Sequence, residues 1–290
     1  MDSVVRISIS HSLFQDLVES ASARFNFHAV EVKETVYPGQ RYVAYHWDDN
    51  EKTGQGLPVR IVKEGVIQRI AIDKKYMGIQ GSDLNQKLAL NALHDRDLAL
   101  LTLLGRAGSG KTFITLISAL NQFSLGHYDK IVYIKPLVSV TKSRFLGTLP
   151  GNAQEKISPF MDSLYDAAAS LNIEYKLEYM ISEGSLELIS PDFLRGRNLS
   201  RSFIIVDEVQ NLSAHEIVTI ATRMAVDSKM IMLGDVNVLQ RDINAHNEPS
   251  VLEMLERVPF WESSLTCYLQ LKKNMRNPLV ELIENIFYKE

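Results

Sequence analysis

The run from Gly105 to Thr112 combines residue types that suit the binding of phosphate groups. It reads Gly-Arg-Ala-Gly-Ser-Gly-Lys-Thr and lies between an apolar segment and an apolar helical pattern. Glycines let a loop wrap so that backbone N–H groups point at phosphate oxygens, and the helix that follows adds the positive end of its dipole. Lys111 is expected to reach the β and γ phosphates of ATP, and Thr112 to place its hydroxyl on Mg²⁺.

Two adjacent acids, Asp207 and Glu208, follow the apolar run from Phe203 to Val206. An apolar strand that ends in acids is the usual partner of such a loop, and Asp207 is expected to hold Mg²⁺ through its water shell. Glu208 is expected to orient and deprotonate the attacking water. A small-molecule kinase with the same loop does not need the second acid, so Glu208 favours hydrolysis over that alternative.

Three other segments carry side chains that suit a nucleotide site. Asp235 ends a third apolar run and is expected to sense the γ phosphate, although an ordinary turn after a strand is the alternative. Gln210 and Asn211 could couple the attacking water to a neighbouring loop, or simply form a turn. Gln86 could pair with donor and acceptor atoms of adenine, or face solvent on its helix. The residues predicted to contact the nucleotide are Gln86, Gly105, Arg106, Ala107, Gly108, Ser109, Gly110, Lys111, Thr112 and Phe113.

The elements that must position these residues follow an alternating pattern from Asp83 onward. Apolar strands that alternate with helical patterns predict an α/β domain with a parallel sheet flanked by helices, as in RecA-like P-loop NTPase cores. The predicted strands are residues 98–104, 130–136, 185–190, 202–208, 229–235 and 265–271. The predicted helices are residues 111–123, 153–170, 214–226, 250–257 and 278–288. Ser213 and Ser250 are the expected N-caps of the third and fourth of these helices.

The first part of the chain has a different residue pattern. Residues 1–77 contain short runs rich in β-branched and aromatic residues, separated by turn signals such as Pro38-Gly39. One short helix is expected to begin near Ser12. The prediction is a small β-rich module, a five-stranded barrel or half-barrel, before a P-loop ATPase domain over residues 78–290.

The composition limits which partners and which cell compartment we expect for the chain. Among 290 residues, 31 are Lys or Arg and 35 are Asp or Glu, so the net charge of −4 gives no overall attraction to nucleic acid. Any nucleic-acid site is therefore expected to be a local patch. The single cysteine, Cys267, cannot form an internal disulfide, and the N-terminus lacks a secretory signal pattern. With no run long enough to span a bilayer, we expect a cytoplasmic protein that does not cross a membrane.

Several strings, read together, resemble the PhoH family of P-loop ATPases, which are related to superfamily-1 helicase cores. They are an Asn and Gln pattern before the loop, GRAGSGKT, FLGTLPG, LRGRNL, IIVDEVQNL, the Gly-Asp strand end and NMRNPLV. The resemblance covers about residues 78–290, and its least generic strings are residues 145–151 and 194–198. Within the family, the chain resembles the branch in which the ATPase follows a PIN nuclease domain and acts on RNA. Residues 1–77 are too few for such a nuclease, so ribonuclease activity is not expected.

The resemblance agrees with the roles given above to the loop and the two acids, and it adds three arginines. Arg195, Arg197 and Arg276 match the family's arginines, whose guanidinium groups suit a γ phosphate and often come from a neighbouring subunit. The alternative is that they are surface arginines in loops. The family tends to form rings, which implies a homo-oligomer with a hexamer as the expected count. One departure is Val238, where helicase-like members often have a glutamine that stands here at Gln240.

A local basic segment supplies the expected contact with nucleic acid. Lys142 and Arg144 could take phosphates of single-stranded RNA or DNA, and Phe145 could stack on a base. A packed loop between subunits is the alternative for this segment. The sequence therefore predicts an ATP-driven helicase or remodelling motor. The second hypothesis is an ATP-dependent switch that acts on a protein partner through the N-terminal module and moves no strand.

Overall fold

Two β-sheets with helices packed around them make up the part of the chain that the computed structural model describes. The described residues are 5–20, 22–24, 32, 34–46, 56–62, 65–136, 161–235 and 250–272. Within them, no helix combines the length and the apolar character that a membrane crossing requires.

The first sheet is a small mixed sheet built from the N-terminal residues. Its elements are β1 (Val5–Ile9), α1 (His11–Ser20), β2 (Ser22–Arg24), β3 (Arg41–His46), β4 (Leu57–Ile61) and β5 (Val66–Arg69). The strand order is β1-β3-β4-β5-β2, with β1 parallel to β3 and the other pairs antiparallel. The sheet has five strands, the number that was predicted, and the helix near Ser12 is confirmed. Among the described residues no ladder joins β1 to β2, and Ile9 at the end of β1 forms an isolated antiparallel bridge with Val32.

The second sheet is the larger one, and all its strand pairs are parallel. Its first elements are α2 (Leu84–His94), β6 (Leu100–Gly105), α3 (Lys111–Ser124), β7 (Lys130–Ile134), α4 (Asp162–Ser170), α5 (Glu174–Ser182) and β8 (Leu186–Ile189). The later ones are β9 (Ser202–Val206), α6 (Ala214–Ala221), β10 (Lys229–Gly234), α7 (Ser250–Leu255), α8 (Val258–Glu262) and β11 (Thr266–Leu271). Short 3-10 turns span Pro191–Phe193 and Val209–Asn211. The strand order is β11-β6-β10-β9-β7-β8.

The apolar strands of this sheet are packed between two layers of helices. Every residue of β9 and of β10 is buried, as expected for strands that are covered on both faces. One face packs against apolar residues of α2, α3, α4 and α5. The other packs against apolar residues of α6, α7 and α8. The predicted α/β fold with a parallel sheet flanked by helices is thereby confirmed.

The six predicted core strands are all present, whereas several helix boundaries differ from the prediction. The helix predicted to run to residue 226 ends at Ala221, and α5 had no counterpart in the sequence pattern. Ser213 caps α6 as predicted, and Glu216 completes a capping box with it. Residues 153–160 and the helix predicted at 278–288 lie outside the described residues.

A side-chain amide fastens the N-terminal sheet to one edge of the parallel sheet. The Gln40 Nε2 atom donates to the Thr266 carbonyl at 3.1 Å, and the Gln40 Oε1 atom accepts from the Tyr268 N–H at 2.9 Å. These are the two backbone groups that a further strand beside β11 would use. Gln40 therefore covers part of the open edge of β11, and β8 remains at the opposite edge.

Candidate active site

The predicted phosphate-binding loop lies where β6 ends and α3 begins. Gly105 is the last residue of β6 and Lys111 is the first residue of α3. Gly110, between them, adopts a left-handed backbone with φ of 87°, and a Cβ atom there would lie 3.0 Å from the Gln86 side-chain nitrogen. A side chain at this position would therefore be strained, which accounts for the glycine. Because a helix leaves its first N–H groups without intrahelical partners, the loop has the donors that a phosphate needs.

The lysine of the loop is held on the loop itself. The Lys111 Nζ atom donates to the Gly105 carbonyl at 2.6 Å and to the Arg106 carbonyl at 3.0 Å. Ser109 is buried, and the other residues after Gly105 are partly buried up to Phe113, which packs against the apolar core. The ammonium group thus lies against the backbone of the loop, and its contact with the β and γ phosphates stays a prediction.

Gln86 contacts the same loop from its first-turn position in α2. Its Oε1 atom accepts from the Ser82 N–H and from the Ser82 hydroxyl, both at 3.0 Å. Its Nε2 atom donates to the Ser109 carbonyl at 3.1 Å. This arrangement supports the loop backbone, a role that the sequence did not indicate. The adenine contact stays a prediction, and it would require the Oε1 atom to exchange its Ser82 partners.

Asp207 and Glu208 follow β9, at the carboxyl ends of the parallel strands, where the loop also lies. The Asp207 side chain is buried, and its Oδ1 atom accepts from the Glu208 N–H at 3.0 Å. Its Oδ2 atom accepts from the Ser163 hydroxyl at 2.7 Å and from the Tyr133 hydroxyl. Sequence reasoning missed both hydroxyls. Tyr133 carried a signal, because a tyrosine in an otherwise apolar buried strand needs a polar partner for its hydroxyl.

Glu208 has the backbone and the environment of a functional carboxylate. Its φ of 56° and ψ of 40° lie in the left-handed region, which costs energy for a residue other than glycine. Burial and the neighbouring Asp207 raise the pKa of Glu208, while Lys135, Gln210 and Lys111 act to lower it. A carboxylate with a raised pKa is better suited to accept a proton from water.

Gln210 joins the second acid to the end of the neighbouring strand. Its Nε2 atom donates to Glu208 Oε2, and its Oε1 atom accepts from the Asp235 N–H at 3.0 Å. Gly234 makes room for this bridge, because a Cβ atom there would lie 2.8 Å from Gln210 Oε1. A line of hydrogen bonds thus runs from Glu208 through Gln210 to the backbone of Asp235, which is itself buried, and the coupling of the attacking water stays a prediction.

Two of the three predicted arginines, Arg195 and Arg197, lie in the described part of the chain, in the segment after β8. Arg197 donates to Glu187 at 2.6 Å, on the edge strand β8, and is exposed. Arg195 is exposed in the segment after β8, where it lines a surface cleft with Asp192 and His215. Arg276, Val238 and the basic segment with Lys142, Arg144 and Phe145 lie outside the described residues.

The residues of this site fit a nucleotide-bound Mg²⁺. Thr112, at the start of α3, and Asp207 offer oxygen atoms, the ligand type that Mg²⁺ prefers. Among the described residues, no group of three or more His, Cys, Asp or Glu side chains could hold a metal ion. Few protein ligands suit Mg²⁺ bound with a nucleotide, because water and phosphate oxygens complete its shell.

The strand, loop and helix, with two acids on a nearby strand, define the class of P-loop nucleoside triphosphatase folds. A family model described as PhoH-like protein matches residues 78–288, and the chain belongs to that family. Protein PhoH2 of Bacillus subtilis (strain 168) is 32% identical over 232 residues, which are 76% of this chain and 50% of that protein. Protein PhoH2 of Mycolicibacterium smegmatis is 30% identical over 222 residues, 75% of this chain and 49% of that protein.

The chain spans about half the length of these PhoH2 proteins. Among solved structures, the large terminase from a thermophilic bacteriophage matches with a TM-score of 0.45 and 12% identity. The match covers 73% of this chain and 51% of the terminase. The PRRSV helicase matches with a TM-score of 0.34 and 12% identity, over 81% of this chain and 44% of the helicase.

Proposed function

We propose that this protein hydrolyses ATP with Mg²⁺ and uses the hydrolysis to move or remodel single-stranded RNA or DNA. The observation that carries the proposal is the chain of contacts from Asp207 through Glu208 and Gln210 to Asp235. A kinase needs one Mg²⁺-holding acid, whereas this site adds a second carboxylate with a raised pKa and a bridge to the next strand. Such a bridge suits an enzyme that senses its own hydrolysis.

In the proposed reaction, the loop N–H groups and Lys111 bind the phosphates of ATP, and Thr112 and Asp207 hold Mg²⁺. Mg²⁺ held there would neutralise charge that develops on the phosphates. Glu208 orients the attacking water and accepts its proton. Gln210 keeps the Glu208 carboxylate in place and reports a change there to the end of β10.

The proposed assembly is a homo-oligomeric ring, with a hexamer as the expected count. The phosphate loop contains one arginine, Arg106, and the family resemblance adds Arg195, Arg197 and Arg276 as candidates to balance the charge of the transition state. Arg195 lines the cleft beside His215 of α6, and Arg197 contacts Glu187 on β8, four strands from β6. At about 4.8 Å for each strand spacing, this is roughly 19 Å to the side. That distance favours an arginine delivered from a neighbouring subunit, and identical head-to-tail interfaces form a ring when the rotation between subunits closes.

An ATP-dependent switch is the second candidate function, and the position of α2 favours it. Gln86 at one end of α2 contacts the phosphate loop, and Asp95 just after the other end contacts Arg41 of the N-terminal sheet. ATP could therefore act on a protein partner of the N-terminal sheet without any movement of nucleic acid.

The rate of ATP hydrolysis with and without single-stranded RNA or DNA tests the proposal and separates the two functions. A rate that rises with polynucleotide supports the motor. ATP hydrolysis that does not respond to polynucleotide favours the switch.

Two variants test the site itself. Lys111→Ala should weaken ATP binding about tenfold or more, because a charge-assisted bond to phosphate contributes about 1.5–3 kcal/mol.

Glu208→Gln should keep ATP bound and slow turnover about 10²- to 10⁴-fold, because an amide cannot accept the proton of water. Turnover at the wild-type rate in Glu208→Gln would remove Glu208 from the role of base.

A further inference from the structure

One oxygen atom of Asp207 is enclosed by two hydroxyl groups that come from different elements. The Ser163 hydroxyl lies 2.7 Å from Asp207 Oδ2, the Tyr133 hydroxyl donates to the same atom, and the two hydroxyls are 3.0 Å apart. The other oxygen accepts from the Glu208 N–H. A carboxylate has about four lone-pair directions, so three are already used within the protein. Little freedom remains for the Asp207 carboxylate to turn.

The two hydroxyls reach Asp207 because three elements meet at this point. Tyr133 lies on β7, which pairs with β9 directly before Asp207, and Ser163 is the second residue of α4. Tyr133 has none of its surface exposed, so its hydroxyl could not be satisfied by bulk water. A phenylalanine would fill the same apolar space at no polar cost. The polar atoms at both positions are therefore directed at the carboxylate and are not needed for packing.

We propose that Tyr133 and Ser163 are positioning residues that hold the Asp207 carboxylate in the orientation that Mg²⁺ requires, which rests on the function proposed above. Groups that hydrogen-bond a metal-holding carboxylate fix its orientation, and their removal commonly costs 10- to 100-fold in metal affinity or activity. In this role neither residue contacts the nucleotide or the metal, and both act through Asp207. The two hydroxyls thus set how much Mg²⁺ the site needs, while the chemical step stays with Glu208.

The test measures the Mg²⁺ dependence of hydrolysis and of nucleotide binding in Tyr133→Phe and in a matched pair at Ser163. Ser163→Thr and Ser163→Val have the same shape, but only threonine keeps a donor. In Tyr133→Phe and Ser163→Val, the Mg²⁺ concentration for half-maximal hydrolysis should rise about tenfold. The rate at saturating Mg²⁺ should stay within about twofold. Ser163→Thr should behave like the wild type.

Binding of a fluorescent ATP analogue gives a readout that does not need turnover. In the wild type, Mg²⁺ should tighten this binding. The gain should be about tenfold smaller in Tyr133→Phe and Ser163→Val, while binding in EDTA stays unchanged. If the wild type binds the analogue with Mg²⁺ but hydrolyses nothing, the proposed function fails while the positioning role is still tested.

Two control variants separate positioning from stability. Tyr128→Phe removes the hydroxyl of another buried tyrosine, which packs edge-on against Phe203, and Ser170→Ala removes a hydroxyl at the far end of α4. Both should leave the Mg²⁺ dependence unchanged. If Tyr133→Phe and Ser163→Val lower the melting temperature but keep the wild-type Mg²⁺ dependence of binding and hydrolysis, the two hydroxyls are structural and the proposal is wrong.

Discussion

At the scale of single residues, His94 makes the stability of the protein depend on pH. Its ring stacks on Tyr76 with centroids 3.5 Å apart, and its Nδ1 atom lies 2.9 Å from the Leu90 carbonyl. Burial lowers the pKa of His94 to about 4, although hydrogen bonds to Leu90 and Asn121 act to raise it. Between this value and the ordinary pKa of about 6.5, the unfolded chain binds a proton that the folded chain does not. The free energy of unfolding should therefore fall as the pH falls from about 6.5 to 4.

Urea unfolding at pH 7 and pH 5 checks this expectation. Between pH 7 and pH 5, the free energy of unfolding of the wild type should fall by about 1–2 kcal/mol more than that of His94→Gln, because glutamine does not titrate. His215→Gln removes an exposed histidine and is the matched control, with the pH dependence of the wild type. An equal loss in the wild type and in His94→Gln would mean that other groups cause the acid sensitivity.

At the scale of elements, the carboxyl end of α2 joins the two sheets. Asp95, just after α2, accepts from Arg41 on β3 and from Arg60 on β4. The Lys229 Nζ atom, on β10, donates to the Ala92 carbonyl at 2.7 Å and to the Asp95 carbonyl at 2.6 Å. These cations lie at the negative end of the helix dipole, where they are stabilising.

Asp95→Ala should therefore lower the free energy of unfolding by about 3–5 kcal/mol, because the fully buried Arg41 side chain loses its counter-ion. Asp97→Ala is the matched control, since the Asp97 side chain is 72% exposed and forms its ion pair with the same Arg60. Its effect should stay within about 0.5 kcal/mol. Urea unfolding of both variants measures the difference, and similar small losses would show that Asp95 does not hold the sheets together.

At the scale of the whole molecule, the strand order makes the two edges of the large sheet different. Gln40 covers part of the β11 edge, whereas the segment after β8 carries Arg195 and Arg197 on the exposed side. If the proposed ring brings Arg195 to the phosphate loop of a neighbour, Arg195→Ala and Lys111→Ala should each be inactive alone. Mixed rings should recover part of the activity, because some interfaces pair an intact arginine with an intact loop.

The measurement is the ATPase rate of mixed and unmixed samples, with subunit exchange confirmed by mass. Arg257→Ala changes an exposed arginine between α7 and α8 and is the control partner. When it is mixed with Lys111→Ala, the ATPase rate should not exceed the rate of the Arg257→Ala subunits alone. If exchange occurs and the rate does not recover, Arg195 acts within its own chain or has no part in hydrolysis. In that case Arg276 would be the next arginine to mix.

The sequence by itself determined the features that depend on neighbouring residues. The six core strands follow from apolar runs, and the loop from Gly105 to Thr112 follows from glycine, lysine and threonine at short spacing. Asp207 and Glu208 could be predicted for the same reason, since they directly follow one apolar strand. The capping box of Ser213 and Glu216 is also local, and both of its hydrogen bonds are present.

Only the tertiary structure decided which distant side chains meet at these residues. Tyr133 and Ser163 reach Asp207 across 74 and 44 positions of the chain, and Gln210 reaches Asp235 across 25. These contacts depend on β7 and β10 lying on either side of β9. An apolar strand pattern shows that a strand is buried, but it does not specify its neighbours, because many apolar surfaces pack equally well against each other. The sequence therefore predicted the candidate reacting groups, and the order of the strands decided which side chains contact them.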